Sequence, residues 1–253
     1  MMGRPYVLAE TNWKVVENTN YDVAVLPWGA TEAHNYHLPY GTDNIECDRI
    51  AAEAARLAWE RDAKIIVLPT IPFGVNTGQM EIKFDINLNP STQLVVLKDI
   101  VEILDHQGIS KLVILNGHGG NDFRQMVREL WPRYNMFLCT LDWFKLVNES
   151  LFEEVGDHAG EMETSLMQFF EPELVLPLSE AGPGSERRFK IKALREGRAW
   201  SQRDWVEATA DTGVGSPAGA TPEKGGRCFE QLSVEIADFF IELAAADVDD
   251  LYE

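Results

Sequence analysis

Four short apolar runs mark the first half of the chain: Asp22 to Trp28, Lys64 to Pro69, Lys111 to Asn116 and Met136 to Asp142. Between them the apolar positions fall at spacings of three and four. Glu46 to Arg61 lines up Ile50, Ala54, Leu57 and Ala58, and Pro90 to His106 lines up Leu94, Leu97, Val101 and Leu104, each the signature of one helical face. Continuous apolar runs suit strands buried on both faces, so the alternation predicts an α/β fold, three layers with a central, mainly parallel sheet flanked by helices. Asp43 or Asn44, Asn89 or Ser91, and Asn121 or Asp122 stand where helices begin and can cap them. Ser179 to Gly226 changes character, being rich in Gly, Pro and charge with Trp200 and Trp205 as its main apolar residues. It reads as ordered excursions over a site or as a subunit contact, inside one domain spanning residues 1–253. The pattern closes on an amphipathic helix from about Lys224 to Ala245, with Leu232, Ile236, Phe239, Phe240 and Leu243 on one side.

Charge narrows the partners. With 22 Lys and Arg against 41 Asp and Glu, a formal charge of −19 opposes broad association with nucleic acid or anionic lipid. A small molecule or a protein is the expected partner. Cys47, Cys139 and Cys228 are far apart and lack metal-type spacing, which predicts reduced core thiols. No stretch has the roughly 18 uninterrupted apolar residues of a membrane helix, and the first ten residues do not read as a signal peptide, so a cytoplasmic protein is expected.

Candidate chemistry sits in short polar words at the ends of the apolar runs: Glu32-Ala33-His34, Asp43, Asn116-Gly117-His118-Gly119-Gly120-Asn121, His158 and Glu161-Met162-Glu163. Parallel sheets gather ligands beyond the carboxyl ends of their strands, which is where the first and third words fall. Two residues apart in a loop, Glu32 and His34 can lean toward two neighbouring ions. Asp43 has two oxygens and can bridge them, and His118 supplies a second imidazole. This mix of nitrogen and oxygen donors suits zinc first, with manganese or iron(II) as alternatives. Two divalent ions about 3.5–4 Å apart would deprotonate a bridging water and polarise the carbonyl that it attacks. An amine leaving group needs a proton, and His158 is the candidate donor. Glu161 and Glu163, on an expected helix start, are candidates for a fifth ligand and for orienting the site. Plainer roles exist for each: Asp43 as a cap, the Gly-rich loop as an anion-binding nest, Glu161 and Glu163 as helix N-terminal carboxylates. His37 is read as hydrogen-bonded within its loop, and His106 as favouring a helix C-terminus.

At these residues the chain resembles the creatininase (creatinine amidohydrolase) family. The resemblance runs through Leu26-Pro27-Trp28-Gly29-Ala30-Thr31-Glu32-Ala33-His34, His37-Leu38-Pro39 and Thr42-Asp43, then Asn116 to Asn121, His158 to Ser165 and Ala220 to Gly225. It implies a creatininase-like fold, amide hydrolysis at two metal ions, and a hexamer of identical subunits. By position, Glu32 and His118 would hold one ion and His34 the other, with Asp43 bridging and His158 shuttling the proton. Creatininase itself carries a ligand Glu where Gly120 stands. Members with the Gly-Gly form usually carry the carboxylate present as Glu161, so the resemblance names Glu161 as the replacement ligand. Asn35-Tyr36 in place of the family's Gly-Pro implies a phenol beside the metals. With Phe84-Asp85-Ile86-Asn87 in place of Phe-Pro-Gly-Thr, it also argues against creatinine as substrate. Gly-Gly members include deformylases of pyrimidine intermediates and a peptide-processing enzyme. The expected activity is metal-dependent hydrolysis of a non-peptide C–N bond, in a cyclic amide or a formamide.

Two other readings compete. Phosphoester hydrolysis shares the two-metal logic but wants phosphate-binding Arg or Lys, and none lies inside the metal-bearing words. A metal-stabilised oligomeric ligand-binding protein without turnover would not need His158 beside a full ligand set.

Overall fold

All six residues of Val23–Trp28 and all six of Lys111–Asn116 are buried, as strands covered on both faces must be. The computed structural model describes residues 3–252; residues 1, 2 and 253, the ends of the expected domain, lie outside the described residues. In chain order the elements are α1 (Trp13–Val16), β1 (Val23–Trp28), α2 (Thr42–Trp59), β2 (Ile65–Val67), α3 (Pro90–His106), β3 (Lys111–Asn116), α4 (Arg124–Leu130), β4 (Phe137–Asp142), α5 (Glu161–Phe170), α6 (Lys192–Arg195), α7 (Trp205–Ala208) and α8 (Pro222–Ala245), with 3-10 turns between them.

The four strands pair in parallel in the order β2-β1-β3-β4. Because successive side chains of a strand point to opposite faces, the sheet feeds two separate cores. Val23, Val25, Ile65, Val67, Val113 and Leu115 pack with Ile50 and Ala54 of α2, Leu166 of α5 and Leu232, Ile236 and Phe240 of α8. Ala24, Leu26, Trp28, Leu112 and Ile114 pack with Leu97, Val101 and Leu104 of α3 and Met126 and Leu130 of α4. The result is the expected three-layer arrangement. Lys111 is buried and donates to the carbonyls of Ala244 and Ala246 at 2.9 and 2.7 Å, so its charge meets the negative end of α8.

Some helix ends differ from expectation. α2 starts at Thr42 with Gly41 before it and no side-chain cap; Asp43 spends its carboxylate elsewhere. α8 begins two residues earlier than expected, with Thr221 accepting from the Lys224 N–H at 3.3 Å and Pro222 in the first turn, a favoured N-terminal pairing. Residues 179–219 are mostly irregular, and their two tryptophans diverge: Trp205 is buried, whereas Trp200 is 84% exposed and anchors nothing. Cys47 and Cys228 are free and buried, and Cys139 is free and partly buried. Among the described residues no helix is long and apolar enough to cross a membrane.

β1 leads through α2 to β2 on one side, and the chain then returns to β3 on the other. The loops leaving β1 and β3 therefore diverge to opposite faces, opening a crevice at the carboxyl end of the sheet. Both polar loops enter it.

Candidate metal centre

Glu32, His34, Asp43, His118 and His158 are buried, and they converge in this crevice with Glu163. Two triads share Asp43: Glu32, Asp43 and His118 form one, and His34, Asp43 and Glu163 form the other, each with its donor atoms within 4.8 Å of one another. A third grouping joins Glu32, His34 and His158.

The backbone decides which nitrogen of each imidazole faces the carboxylates. A carbonyl can only accept, so the ring nitrogen against it carries the proton and leaves the other lone pair free. His34 Nδ1 lies 3.1 Å from the Glu32 carbonyl oxygen, His118 Nε2 lies 3.1 Å from that of Val75, and His158 Nε2 lies 2.9 Å from that of Ala33. The inward atoms are therefore His34 Nε2, His118 Nδ1 and His158 Nδ1. His34 Nε2 is 2.8 Å from Asp43 Oδ1 and 3.9 Å from Glu163 Oε1. His118 Nδ1 is 2.8 Å from Glu32 Oε1 and 3.1 Å from Asp43 Oδ2. His158 Nδ1 stands further out, 3.8 Å from Glu32 Oε1.

This donor set fits divalent cations. His34 Nε2 and Asp43 Oδ2 are buried and close to opposite charge, yet neither makes a hydrogen bond of good direction. Burial works against imidazolium, but the charge of Asp43 prevails and pushes His34 up to about 10, and that of Glu32 pushes His118 well above its usual value. Burial likewise opposes the charged form of Asp43, whose neighbours His34 and His118 nevertheless hold it well below the usual carboxylate range. In the absence of ions, protons on the two inward nitrogens supply the positive charge that the carboxylates demand. Metal binding would displace them.

A stability prediction follows. With its folded value above the unfolded one of about 6.5, His34 contributes fully below that pH and loses its contribution as pH rises through about 10. Chelator-treated protein should fall in Tm on the order of 5 °C between pH 6.5 and 9.5, while metal-loaded protein should not. A flat profile for the chelated form would refute the charge pattern.

The fifth carboxylate is where expectation and structure part. Residues 161 and 163 of one helix point about 200° apart and cannot face the same spot. Glu163 enters the triad, its second oxygen accepting the Ala159 N–H. Glu161 turns away: it pairs with Lys224 and accepts the N–H groups of Glu153 and Glu154 at 2.8 and 3.0 Å. Glu161 thus lies outside the donor triads and clamps α5 to the start of α8. We expect Glu161→Ala to keep its metal content and to lose about 3 kcal/mol of stability, the low end for breaking a buried ion pair. Glu163→Gln should shed one ion and keep its stability. Loss of metal from the Glu161 variant would reverse the assignment. A carboxylate at position 120 would require a shift of its surroundings, because a Cβ on Gly120 would collide with the Val75 carbonyl oxygen and the His118 ring.

Other residues support this floor. Asn116 accepts the His118 N–H at 3.2 Å and that of the Asn121 side chain at 3.0 Å, and donates to Asp142 at 2.9 Å. These bonds fold the Gly-rich loop around His118. Asn35 sits at φ +54°, where Asn is the best non-glycine substitute. Its side chain bonds both the N–H and the carbonyl of Gly182. The Tyr36 hydroxyl donates to Ala210 at 3.1 Å and the ring is 60% exposed, so the expected phenol beside the metals is absent. His37 bonds Thr164 of α5 at 2.9 Å rather than its own loop. Asp85 accepts the Ala33 N–H at 2.8 Å, which braces the Glu32 to His34 turn.

Two supporting residues give no signal in the sequence, and a third, Trp205, stands out there only as an apolar residue of the long excursion. Gln79 donates to the second oxygen of Glu32. Glu46 is fully buried on α2 with neither oxygen hydrogen-bonded; burial and the nearby Glu163 and Asp43 push it well above the usual carboxylate range, so it reads as a neutral acid. Trp205 lies edge-on to His158 with ring centres 5.0 Å apart.

The profile of the creatininase family, described as creatinine amidohydrolase, matches residues 9–240. A solved protein of Bacteroides fragilis, provisionally named a creatinine amidohydrolase, is 44% identical, covers 100% of both chains and superposes with a TM-score of 0.92. A mycofactocin precursor peptide peptidase of Mycobacterium ulcerans is 28% identical over 82% of this chain and 80% of its own. The 2-amino-5-formylamino-6-ribosylaminopyrimidin-4(3H)-one 5'-monophosphate deformylase of Methanothermobacter marburgensis is 26% identical over 94% of each chain.

Proposed function

The chain belongs to the creatininase (creatinine amidohydrolase) family of hydrolases, and from that premise we propose that it hydrolyses a non-peptide C–N bond, in a cyclic amide or a formamide, at two divalent ions. Glu32, Asp43 and His118 hold one ion; His34, Asp43 and Glu163 hold the other. The observation that carries the reading is the pair of buried donor triads that share Asp43. Zinc is the first choice for both positions, and the same donors accept manganese or iron(II). Bound there, the ions supply a water of lowered pKa and polarise the amide carbonyl.

The protein's own residues do the rest. His158 has one nitrogen tied to the Ala33 carbonyl and the other turned toward Glu32, an arrangement suited to moving a proton to the leaving nitrogen. Its backbone exchanges hydrogen bonds with Val214 at 3.0 and 2.8 Å, which fixes the ring's approach. Glu163 and Gln79 orient the donors around the reacting carbon. The reading takes residues 1–253 as one cytoplasmic hydrolase domain that assembles as a homo-oligomer, a hexamer by family.

Metal analysis joined to hydrolysis of creatinine, small lactams and formanilide tests it. Two ions per chain and turnover of a lactam or formamide that is lost with chelator and regained with zinc are expected. Bound metal without cleavage of any C–N substrate would favour a ligand-binding protein instead.

A further inference from the structure

The metal centre forms the floor of a much larger space. A cavity of about 970 Å³ extends from Glu32, His118 and His158 to a wall built by Arg124, by Lys145, and by residues 186–203 of the long excursion. That volume lies at the upper end for small-molecule sites and far exceeds a five-membered lactam.

The lining also departs from the charge balance of the molecule. Acidic residues outnumber basic ones 41 to 22 over the chain, yet the five acidic side chains that line this cavity are matched by five cationic ones. Two are neutralised: Arg203 by Asp157 at 2.6 Å and Glu186 at 2.8 Å, and Lys145 by Asp142 at 2.5 Å. The other three are not. Arg124 makes no ion pair and no side-chain hydrogen bond among the described residues, and the one acid beside it, Asp122, accepts its backbone N–H at 3.2 Å. Arg195 donates only to the carbonyls of Phe189 and Lys190, at 3.1 and 3.2 Å. Arg188 donates to the Arg195 carbonyl at 3.4 Å and reaches no closer than 3.8 Å to Glu186, a carboxylate already committed to Arg203. Phe189 and Trp200 expose their rings on the same wall, offering flat apolar surface beside the guanidinium groups.

Three guanidiniums without a close carboxylate of their own line this cavity, and the planar fork of each matches the two oxygens of a carboxylate or phosphate. We propose that the substrate carries, remote from its scissile C–N bond, a phosphate or carboxylate that Arg124, Arg188 and Arg195 hold; the inference rests on the C–N hydrolase reading above. The cationic wall recruits and orients, and the metal floor cleaves.

Calorimetric titration with phenylphosphonate, benzoate and benzyl alcohol tests this on metal-loaded and chelator-treated protein. Both anions should bind both forms at least tenfold more tightly than they bind R124Q/R188Q/R195Q, with the tighter of the two identifying the oxyanion, and benzyl alcohol should not distinguish the proteins. R124Q alone, which removes no internal contact, should already weaken anion binding about threefold. Equal affinity in wild type and triple variant, or binding confined to the metal-loaded form, would overturn the inference by assigning the anion to the ions. Rates on formanilide and 4-formamidobenzoate separate the two levels. Arginine-dependent anion binding without cleavage of either would keep this inference and sink the parent reading. Cleavage of both at equal rates, unchanged in the triple variant, would keep the parent and sink this one.

Discussion

An Asp43→Asn protein is expected to lose both ions and to hydrolyse its substrate at least about 10³-fold more slowly, roughly 4 kcal/mol of transition-state stabilisation. The expectation comes from position. Asp43 is the one side chain common to the two triads, 2.8 Å from His34 Nε2 through one oxygen and 3.1 Å from His118 Nδ1 through the other. Asparagine keeps the shape but offers one neutral oxygen and a donor in place of a second acceptor, so one half of the site faces an N–H group. Glu32, His118, His34 and Glu163 would remain, two donors on each side, too few for tight tetrahedral binding. Metal content per chain and kcat/KM should therefore fall together. A variant that retains one full ion and loses less than tenfold in rate would show the two sites to be independent.

His158→Ala should separate binding from chemistry. We expect kcat to drop by about 10²–10⁴, the usual contribution of a positioned acid or base, with two ions still bound per chain. His158 approaches Glu32 only to 3.8 Å, against 2.8 Å for His118, and its ring lies beside that of His34 with centres 4.1 Å apart. It overhangs the donors rather than completing them. The group that it forms with Glu32 and His34 supplies the counter-outcome: if the variant loses an ion, His158 is a ligand and the proton comes from elsewhere.

Much of the fold was legible because a parallel sheet imposes a strong pattern. Its central strands β1 and β3 are buried along their whole length, and α3 falls over Pro90–His106 as its periodicity implies. Legibility failed where one residue can serve two purposes. Asp43 suits a helix cap and a metal bridge equally well in sequence, and only the approach of β3's loop to α2 turns its carboxylate to His34 and His118 instead of a cap. Glu161 and Glu163 are chemically identical, and the difference between ligand and clamp is a rotation about the α5 axis that depends on where Lys224 arrives from, 63 positions away. Tyr36 departs from expectation for a related reason: Asn35 lies in the left-handed region, and the next side chain points outward to Ala210. Gln79 and Arg188 lie in a short turn and an irregular stretch, and Arg124 and Arg195 stand at the ends of short helices, where no periodicity reveals direction.

The separation of floor from wall has an evolutionary consequence. The candidate donors come from the loops after β1 and β3 and from the first turns of α2 and α5, segments locked into the two cores, where change is costly. Most of the wall comes from one stretch, residues 186–203, largely exposed and with a single four-residue helix. Selection can rewrite that stretch without disturbing the ions. Descendants of one ancestral hydrolase could thereby exchange substrates by drifting in a surface segment while their bond-breaking apparatus stays fixed.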